Sequence, residues 1–373
     1  MEPFIVEENK KVTGANIKAI GVGGGGGNMI GHMINQGING IELLVANTDA
    51  QALNTSNAHV KIQLGEKTTR GLGAGMVPEK GKEAALESYD EIKEKLEGAD
   101  IVFVAAGMGG GTGTGAAPII AQAAKEVGAL TISVVTKPFK FEGRKRSRLA
   151  EEGLEELKKE SDSIVVIPND KLLAIVEKNL GIKDSFKIVD DVLARAVSGI
   201  SGVILSYGQN DINLDFADVK TVMSHRGLAL MGVGEAQGSN SAYEAIKSAI
   251  ESPLLDNMSI NGAMGVLVHF TIHPDYPLVD IGEAMDIVYE SADEDAHVIF
   301  GTTTDENMEP DRVKITLIAT GFDHEEEKKE ELKLVTPKQT EIVTTKVKVS
   351  GSDFDNTNEE VLDIPTFLRK QMD

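Results

Sequence analysis

The glycines of this chain constrain its fold more than any other feature of the sequence. Of 39 glycines in 373 residues, many fall in three clusters, at residues 21–27, 71–75 and 107–115. The first and third clusters directly follow β-rich runs, and all three precede helical patterns. Glycine lets a backbone turn sharply and approach a ligand closely, and a following helix directs unpaired N–H groups and its positive dipole end at that ligand. The pattern therefore predicts a phosphate-binding edge.

Alternating strand and helix patterns around these clusters predict an α/β fold. Short apolar runs occupy residues 17–22, 41–46, 101–106, 130–136 and 164–167. Amphipathic helical stretches lie between them, at residues 79–96, 116–127 and 144–159. This alternation is typical of a parallel sheet with helices on both faces, which binds ligands at the carboxyl ends of its strands.

A long helix and a second α+β unit follow. The helix spans about residues 184–208 and is apolar around most of its circumference, so we expect it to be buried between two domains, with Asp184 or Ser185 as its cap. The second unit has strand patterns at residues 227–233, 265–272, 298–303 and 313–320, and helical ones at 241–251 and 281–291.

The domain organisation follows from these patterns and from the termini. We expect a flexible N-terminal arm (1–15), a nucleotide-binding domain (16–183), the central helix, a second domain (209–322), a disordered linker (323–360) and a docking peptide (361–373). The linker is too polar to fold alone. The last segment regains bulky apolar residues, which is typical of a docking peptide, although a frayed terminus is an equal alternative.

Composition and charge exclude several classes of protein. The chain has no cysteine, which excludes disulfides, zinc–thiolate sites, iron–sulfur clusters and a cysteine nucleophile. Its 59 acidic and 37 basic residues give a net charge of −22, which argues against nucleic acid and anionic lipid as partners. No signal peptide or membrane-spanning run is evident, so we expect a cytoplasmic protein.

Two nucleotide-binding interpretations fit the glycine clusters. Gly21, Gly23 and Gly26 match the dinucleotide fingerprint, and Asp49 stands where a Rossmann protein keeps its ribose-binding acid. A Rossmann domain, however, does not need the longer third cluster, where Thr112 and Thr114 add hydroxyl donors. Three clusters on one edge suit a triphosphate better, and without a P-loop lysine motif the donors would be mostly main-chain N–H groups.

The third cluster carries a resemblance to a known family. GGGTGTG at residues 109–115 is similar to the phosphate-loop motif of the tubulin superfamily. In this order with the other strings, the chain resembles the FtsZ family, the bacterial tubulin relatives that build the division ring. The resemblance covers about residues 15–322 and the last dozen. The supporting strings are VGGGGGN (22–28), NTDAQAL (47–53), TKPF (136–139), FEGRKR (141–146), IPNDKLL (167–173), NLDFADV (213–219) and LDIPTFLRKQ (362–371).

The resemblance implies a GTP/GDP pocket in which Mg²⁺ is held mainly by the phosphates and no protein metal site is needed. Glu142 and Arg146 would contact ribose and phosphates. Guanine would be recognised by Asn169 and Asp190 with Phe186 stacking nearby, although Asp191 is an alternative to Asp190. The phosphates would be cradled by Gly24, Gly25, Gly26, Gly27, Asn28, Gly75, Gly111, Thr112 and Gly113.

The acidic loop NLDFADV allows two interpretations. By the residues alone, Asp215 caps a helix beginning at Phe216, and Asp218 suits its first turn. The resemblance implies instead that Asp215 and Asp218, assisted by Asn213, orient the attacking water on the nucleotide of the next subunit. Hydrolysis would then require head-to-tail polymerisation.

The resemblance also implies a place in the cell. The partners would be further copies of the chain and membrane-anchoring division adaptors bound by residues 361–373, at the mid-cell inner face of the membrane and without direct membrane insertion. A Rossmann NAD-dependent oxidoreductase and a non-polymerising guanine-nucleotide switch remain the alternatives.

Overall fold

A single mixed sheet runs through the computed structural model, which describes residues 14–172, 181–205, 212, 215–224, 227–255, 260 and 262–322. In these residues the strands are β1 (Ile17–Val22), β2 (Ile41–Asn47), β3 (Val60–Gln63), β4 (Ile101–Gly107), β5 (Leu130–Lys137), β6 (Ser163–Pro168), β7 (Leu228–Gln237), β8 (Gly265–Ile272), β9 (His297–Thr304) and β10 (Arg312–Thr320). Their order is β3-β2-β1-β4-β5-β6-β7-β10-β8-β9, and β10 alone runs antiparallel to its neighbours. The predicted α/β parallel-sheet class is confirmed.

Burial on both faces explains why the central strands were readable from sequence. Every residue of β1 is buried, as are all but the last residues of β4 and β5. Strands covered on both sides read as unbroken apolar runs, which is how parallel sheets appear in a sequence. The edge strand β3 has only four residues, VKIQ, and no such run, so no apolar pattern predicts it.

The helices cover both faces of the sheet. They are α1 (Gly23–Asn35), α2 (Ala50–Thr55), α3 (Glu66–Thr69), α4 (Pro78–Glu87), α5 (Tyr89–Leu96), α6 (Thr112–Glu126), α7 (Arg144–Glu160), α8 (Asn169–Leu172), α9 (Ile182–Leu205), α10 (Phe216–Met223), α11 (Ser241–Ile250) and α12 (Leu278–Ser291). The stretch expected as one helix over 79–96 is divided at Ser88 into α4 and α5. Helix α6 begins four residues earlier than expected, so the third glycine cluster supplies its first turn.

The start of α9 corrects one expectation. The helix begins at Ile182, directly after Gly181, so Asp184 and Ser185 lie in its first turn and not at the cap. Glycine is a tolerated residue before a helix, and here it marks the boundary ahead of the more obvious polar candidates.

Helix α9 packs against both halves of the sheet. Its buried residues share one core with α1 and with the inner faces of β1, β4 and β5, and they also reach β8 and β10. The two predicted domains are joined directly where β6 pairs with β7, through Ile164 with Leu228 and Val165 with Ala229. A second core lies under α4–α7, and a third under α11 and α12.

Some expectations fall outside the described residues. These are most of the N-terminal arm, the linker, the docking peptide, Asn213 and the side chain of Phe186. Within the described parts of the chain, no helix is both long and apolar enough to cross a membrane.

Candidate active site

The first glycine cluster forms a helix start that lies very close to the sheet. Gly23 has φ +71°, so the chain turns from β1 into α1 within one residue. A Cβ added to Gly21 would lie 2.3 Å from the Gly26 carbonyl oxygen, and one added to Gly26 would lie 2.2 Å from that of Ala105. Gly26 is therefore a buried packing residue that lines neither of the cavities described below, and its place among the residues that cradle phosphate stays a prediction.

The third cluster brings a second helix N-terminus to the same place. A Cβ on Gly23 would lie 3.0 Å from the backbone nitrogen of Gly113, in the first turn of α6. The first N–H groups of a helix have no intrahelical acceptor, and its N-terminus carries positive partial charge. Two such ends side by side make this edge of the sheet a site for an anion.

Two adjoining cavities lie at these helix starts and share Gly24. The smaller, about 330 Å³, brings together most of the predicted phosphate and ribose residues: Gly24, Gly25, Gly75, Gly111, Thr112, Gly113, Glu142 and Arg146. Asn169, which is predicted to recognise guanine with Asp190, lines this cavity too, apart from Asp190. The larger, about 600 Å³, is lined by Gly27, Asn28 and Asp190 among others. An elongated ligand can therefore place its anionic end at the glycine loops and its other end against α9.

The two threonines of the third cluster do different things. Thr112 is half-buried and lines the smaller cavity. Thr114 is buried, and its hydroxyl accepts a hydrogen bond from the Gly109 N–H at 2.8 Å. Thr114 therefore closes the loop on itself, which corrects the expectation that both hydroxyls serve the phosphates.

Glu142 and Arg146 form an ion pair at the rim of the smaller cavity. Glu142 also accepts a hydrogen bond from the Phe139 N–H at 3.0 Å, which ties it to the turn that follows β5. Arg146 stands in the first turn of α7. The turn after β5 and the first turn of α7 therefore hold these two side chains beside the anion site.

Asn169 presents an unsatisfied acceptor to the smaller cavity. It follows β6 directly and is only 6% exposed. Its Oδ1 is buried and has no hydrogen-bond partner among the described residues. Buried polar atoms are nearly always bonded, so this oxygen fits a ligand that donates an N–H or O–H group.

Asp190 and Asp191 have separate environments. Asp190 lines the larger cavity, and burial raises its pKa to about 6, with the charge of His32 acting against the rise. Asp191 instead accepts a hydrogen bond from the Gln36 amide at 2.9 Å and pairs with Arg195 at 2.7 Å. Burial acts to raise the pKa of Asp191, but Arg195 and the hydrogen bonds outweigh it and the pKa is lowered. Asp190 is the acid whose position suits a ligand.

Asp49 has a structural role. Its carboxylate accepts hydrogen bonds from the N–H groups of Gln51 and Ala52, at 2.9 and 3.2 Å, and so caps α2. The capping role explains why an acidic residue stands at position 49, the position that suggested a Rossmann ribose site.

Asp215 and Asp218 are exposed at the start of α10. Asp215 occupies the N-cap position, and its backbone carbonyl accepts from the Asp218 N–H at 3.0 Å. Its carboxylate, however, makes no capping hydrogen bond. The expected cap is therefore present in its backbone geometry, while the side chain remains available for another role.

Neither acid belongs to the cavities described above. Asp215 and Asp218 are absent from the linings of both the smaller and the larger cavity of their own chain.

Four further residues line the cavities and are not among the predicted site residues: Asn47 and His32 in the larger cavity, and Thr136 and Pro138 in the smaller. Asn47, Thr136 and Pro138 lie at or just beyond the carboxyl ends of β2 and β5. The rule that α/β sheets bind ligands at that edge could have found these three.

Two helix N-termini beside a glycine-lined cavity, with a carboxylate at the far end, are typical of a protein that binds nucleotides. Residues 16–177 match the Tubulin/FtsZ family GTPase domain, and residues 227–323 match the FtsZ family C-terminal domain. The cell division protein FtsZ of Helicobacter pylori strain J99 is 49% identical over 361 residues, 96% of this chain and 93% of that protein.

Solved structures agree with this match. An FtsZ dimer from M. jannaschii, described as empty, is 46% identical with a TM-score of 0.80, and the match spans 84% of this chain and 90% of that one. The GTPγS-bound protofilament structure of CetZ2 from Haloferax volcanii has a TM-score of 0.67 over 85% of this chain and 99% of that one. At 20% identity it shows the shared fold alone.

The chain belongs to the tubulin/FtsZ family. It is a cell-division GTPase that binds GTP and GDP, and the NAD-dependent oxidoreductase alternative is wrong.

Proposed function

We propose that this GTPase hydrolyses GTP in an active site completed by a second copy of the chain, and that the resulting head-to-tail filaments form the cytokinetic ring. The observation that carries this proposal is the position of Asp215. Its carboxylate is exposed, caps nothing, and lines neither cavity of its own chain.

The residues around the two cavities suit GTP. The phosphates would lie against Gly24, Gly111 and Gly113, with Thr112, Gly75 and Arg146 beside them. The base would lie toward Asp190, whose carboxylate can accept both the N1–H and the N2–H₂ of guanine, a pair of donors that adenine lacks. The rest of the lining around the nucleotide would come from Asn169, Gly25, Glu142, Gly27 and Asn28. Phe186 is proposed to stack on the base.

In the assembled site, Asp215 and Asp218 of one copy would orient and deprotonate the water that attacks the terminal phosphate held by the next copy, with Asn213 assisting. Phosphoryl transfer needs positioning and charge stabilisation more than covalent chemistry, so two carboxylates suffice for this part. The groups that bind the phosphates would belong to one copy of the chain, and Asp215 and Asp218 to the next. Turnover would therefore depend on assembly.

The donor set near the phosphates fits a Mg²⁺ ion held mainly by GTP. Among the described residues, no group of three or more His, Cys, Asp or Glu side chains could hold a metal. Mg²⁺ commonly keeps several waters and binds through substrate phosphates. Bound in this way, it would neutralise phosphate charge.

Exposed apolar side chains support self-association next to the cavity. Leu72 is 82% exposed and Phe141 74%, and both belong to segments that carry cavity residues, Gly75 and Glu142. Exposed apolar side chains on segments that line a ligand cavity are candidates for an interaction surface. A contact between two unlike faces repeats without closing and gives an open filament. Among the similar solved structures, the M. jannaschii FtsZ is a dimer and the CetZ2 of Haloferax volcanii is a protofilament.

We further propose that residues 361–373 bind membrane-anchoring adaptor proteins, so that filaments gather at the inner face of the membrane at mid-cell without inserting into it. Phe367 and Leu368 can fill an apolar groove, and many tails on one filament would give avidity.

The decisive experiment measures GTP turnover per molecule against protein concentration, with light scattering recorded in parallel. A composite site predicts turnover that rises steeply at the concentration where scattering appears. Turnover per molecule that stays constant across this range would favour the non-polymerising guanine-nucleotide switch.

A further inference from the structure

Thr48 is hydrogen-bonded to residues of two glycine clusters, the second and the third. It directly follows β2 and is fully buried. Its hydroxyl oxygen lies 2.6 Å from that of Thr112, the first residue of α6, which lines the smaller cavity. Its backbone carbonyl accepts hydrogen bonds from the Gly73 N–H at 3.1 Å and the Thr69 hydroxyl at 3.2 Å. The side chain thus serves the third cluster and the main chain serves the second.

The hydroxyl pair restricts how Thr112 can face a ligand. A threonine hydroxyl has one proton to donate and two lone pairs. Phosphate oxygens only accept, so a phosphate bound at Thr112 would accept the hydrogen bond that its hydroxyl donates. Thr48 must then donate to Thr112, which gives a directed chain from the Thr48 hydroxyl through the Thr112 hydroxyl to the phosphate. Chains of this kind polarise and strengthen each bond.

We propose that Thr48 is a positioning residue for nucleotide binding: its hydroxyl orients the hydroxyl of Thr112 toward the phosphates. The proposal rests on the proposed assignment of Thr112 to phosphate binding. Thr48 itself is completely buried and does not line either cavity, so it acts through Thr112.

The test compares Thr48→Val, which removes the hydroxyl and keeps the shape and the carbonyl, with Thr48→Ser, which retains the hydroxyl. The measurements are the Kd values of GDP and of a non-hydrolysable GTP analogue, together with Tm. We expect Thr48→Val to weaken binding of the GTP analogue by about three- to tenfold, the value of one hydrogen bond, and Thr48→Ser to restore it. If Thr48→Val does not fold, Thr48→Ala replaces it in the comparison with Thr48→Ser.

Thr69→Val is the matched control for a structural role. It removes a hydroxyl that supports the Thr48 carbonyl and leaves the Thr48–Thr112 pair intact. We expect it to lower Tm with little change in nucleotide Kd. If Thr69→Val weakens nucleotide binding as much as Thr48→Val does, a general loss of loop structure would explain both effects. That result would overturn the proposal.

A double-mutant cycle separates this proposal from the assignment on which it rests. If Thr48 acts through Thr112, Thr48→Val combined with Thr112→Val should bind no more weakly than Thr112→Val alone. Losses that multiply would overturn the positioning role while leaving Thr112 as a binding residue. Unchanged binding in Thr112→Val would instead overturn the assignment of Thr112 itself.

Discussion

At the scale of single residues, the glycines of the first cluster look identical in the sequence and differ completely in the structure. Gly26 is buried, and a Cβ there would collide with the Ala105 carbonyl. Gly24 is exposed, and a Cβ there would meet nothing within 4 Å. The sequence could predict that the cluster binds phosphate. It could not assign roles within it, because those depend on which side of α1 faces β4.

This difference gives opposite expectations for two alanine substitutions. Gly24→Ala should keep or raise stability, by up to about 1 kcal/mol as for glycine to alanine in a helix, yet weaken GTP binding because the new methyl group enters the cavity. Gly26→Ala should destabilise the fold. Thermal unfolding and nucleotide Kd check both.

Gly282→Ala is the control for helix propensity, since Gly282 is an exposed glycine of α12 with open space around it. It should stabilise without affecting nucleotide binding. Undiminished GTP affinity in Gly24→Ala would contradict the proposed phosphate position.

Asp190 predicts a pH dependence. Its pKa is raised to about 6 from an ordinary 3.8, so the folded chain holds more protons than the unfolded chain between these values. This group's contribution to stability therefore declines as pH rises through that window. Guanine requires the ionised carboxylate as acceptor, so GTP affinity should increase as pH rises through about 6.

Asp190→Asn is the matched variant, because it keeps the shape and removes the titration. Its GTP Kd should vary less between pH 5 and pH 7.5 than that of the unmodified chain, by nucleotide titration at both pH values. An equally steep profile in the variant would assign the pH dependence to another group.

At the scale of elements, two aspartates that precede short helices can be compared directly. The Asp49 carboxylate accepts hydrogen bonds from N–H groups in the first turn of α2, whereas Asp215 leaves α10 without a side-chain cap. The sequence shows a plausible capping residue in both places, since the pattern before a helix is the same. Whether a carboxylate turns back onto its helix depends on side-chain orientation that no pattern records.

We expect Asp49→Ala to lower the free energy of unfolding by about 1 kcal/mol, the usual value of an N-cap, and Asp215→Ala to leave it nearly unchanged. Asp215→Ala should instead reduce GTP turnover by about a hundredfold or more at near-normal GTP affinity, as for loss of a proton acceptor. Urea unfolding, turnover and nucleotide Kd distinguish them. A loss of GTP affinity in Asp215→Ala as large as its loss of turnover would contradict the catalytic assignment.

The strands show why the core was more predictable than the helix ends. β8 occurs over the expected residues 265–272, and β1 over 17–22, because continuous burial leaves an apolar run bounded by polar residues. Helix α6 extends into the glycine cluster because those residues pack against α4, where Cβ atoms would not fit: a Cβ on Gly115 would lie 1.9 Å from the Pro78 carbonyl oxygen. Tertiary packing there overrides glycine's low helix propensity.

At the scale of the whole molecule, residues 361–373 should be separable from GTP hydrolysis. Their deletion should spare turnover and filament formation in solution and abolish recruitment to membranes coated with anchoring adaptors. The reason is that this segment is proposed to act only in docking to the adaptors. Sedimentation of filaments and binding to adaptor-coated vesicles test this. A truncated chain that no longer assembles, or that is still recruited, would contradict the docking role.

The exposed apolar side chains beside the cavity make the last prediction. Leu72→Ser should leave GTP binding by the single chain unchanged, since its side chain is 82% exposed and lines neither cavity. It should raise the protein concentration at which turnover and light scattering increase. The expected rise is about tenfold, which corresponds to losing part of the burial free energy of one large apolar side chain in the filament contact.

Leu86→Ser is the matched control, because Leu86 is also an exposed leucine, at 51%, but lies on α4 and lines neither cavity. It should leave the assembly concentration in place. If both substitutions shift that concentration equally, general surface hydrophobicity would account for assembly. If Leu72→Ser has no effect, the face around the cavity is not the one that contacts the acids of the next copy, and the composite site would need a different geometry.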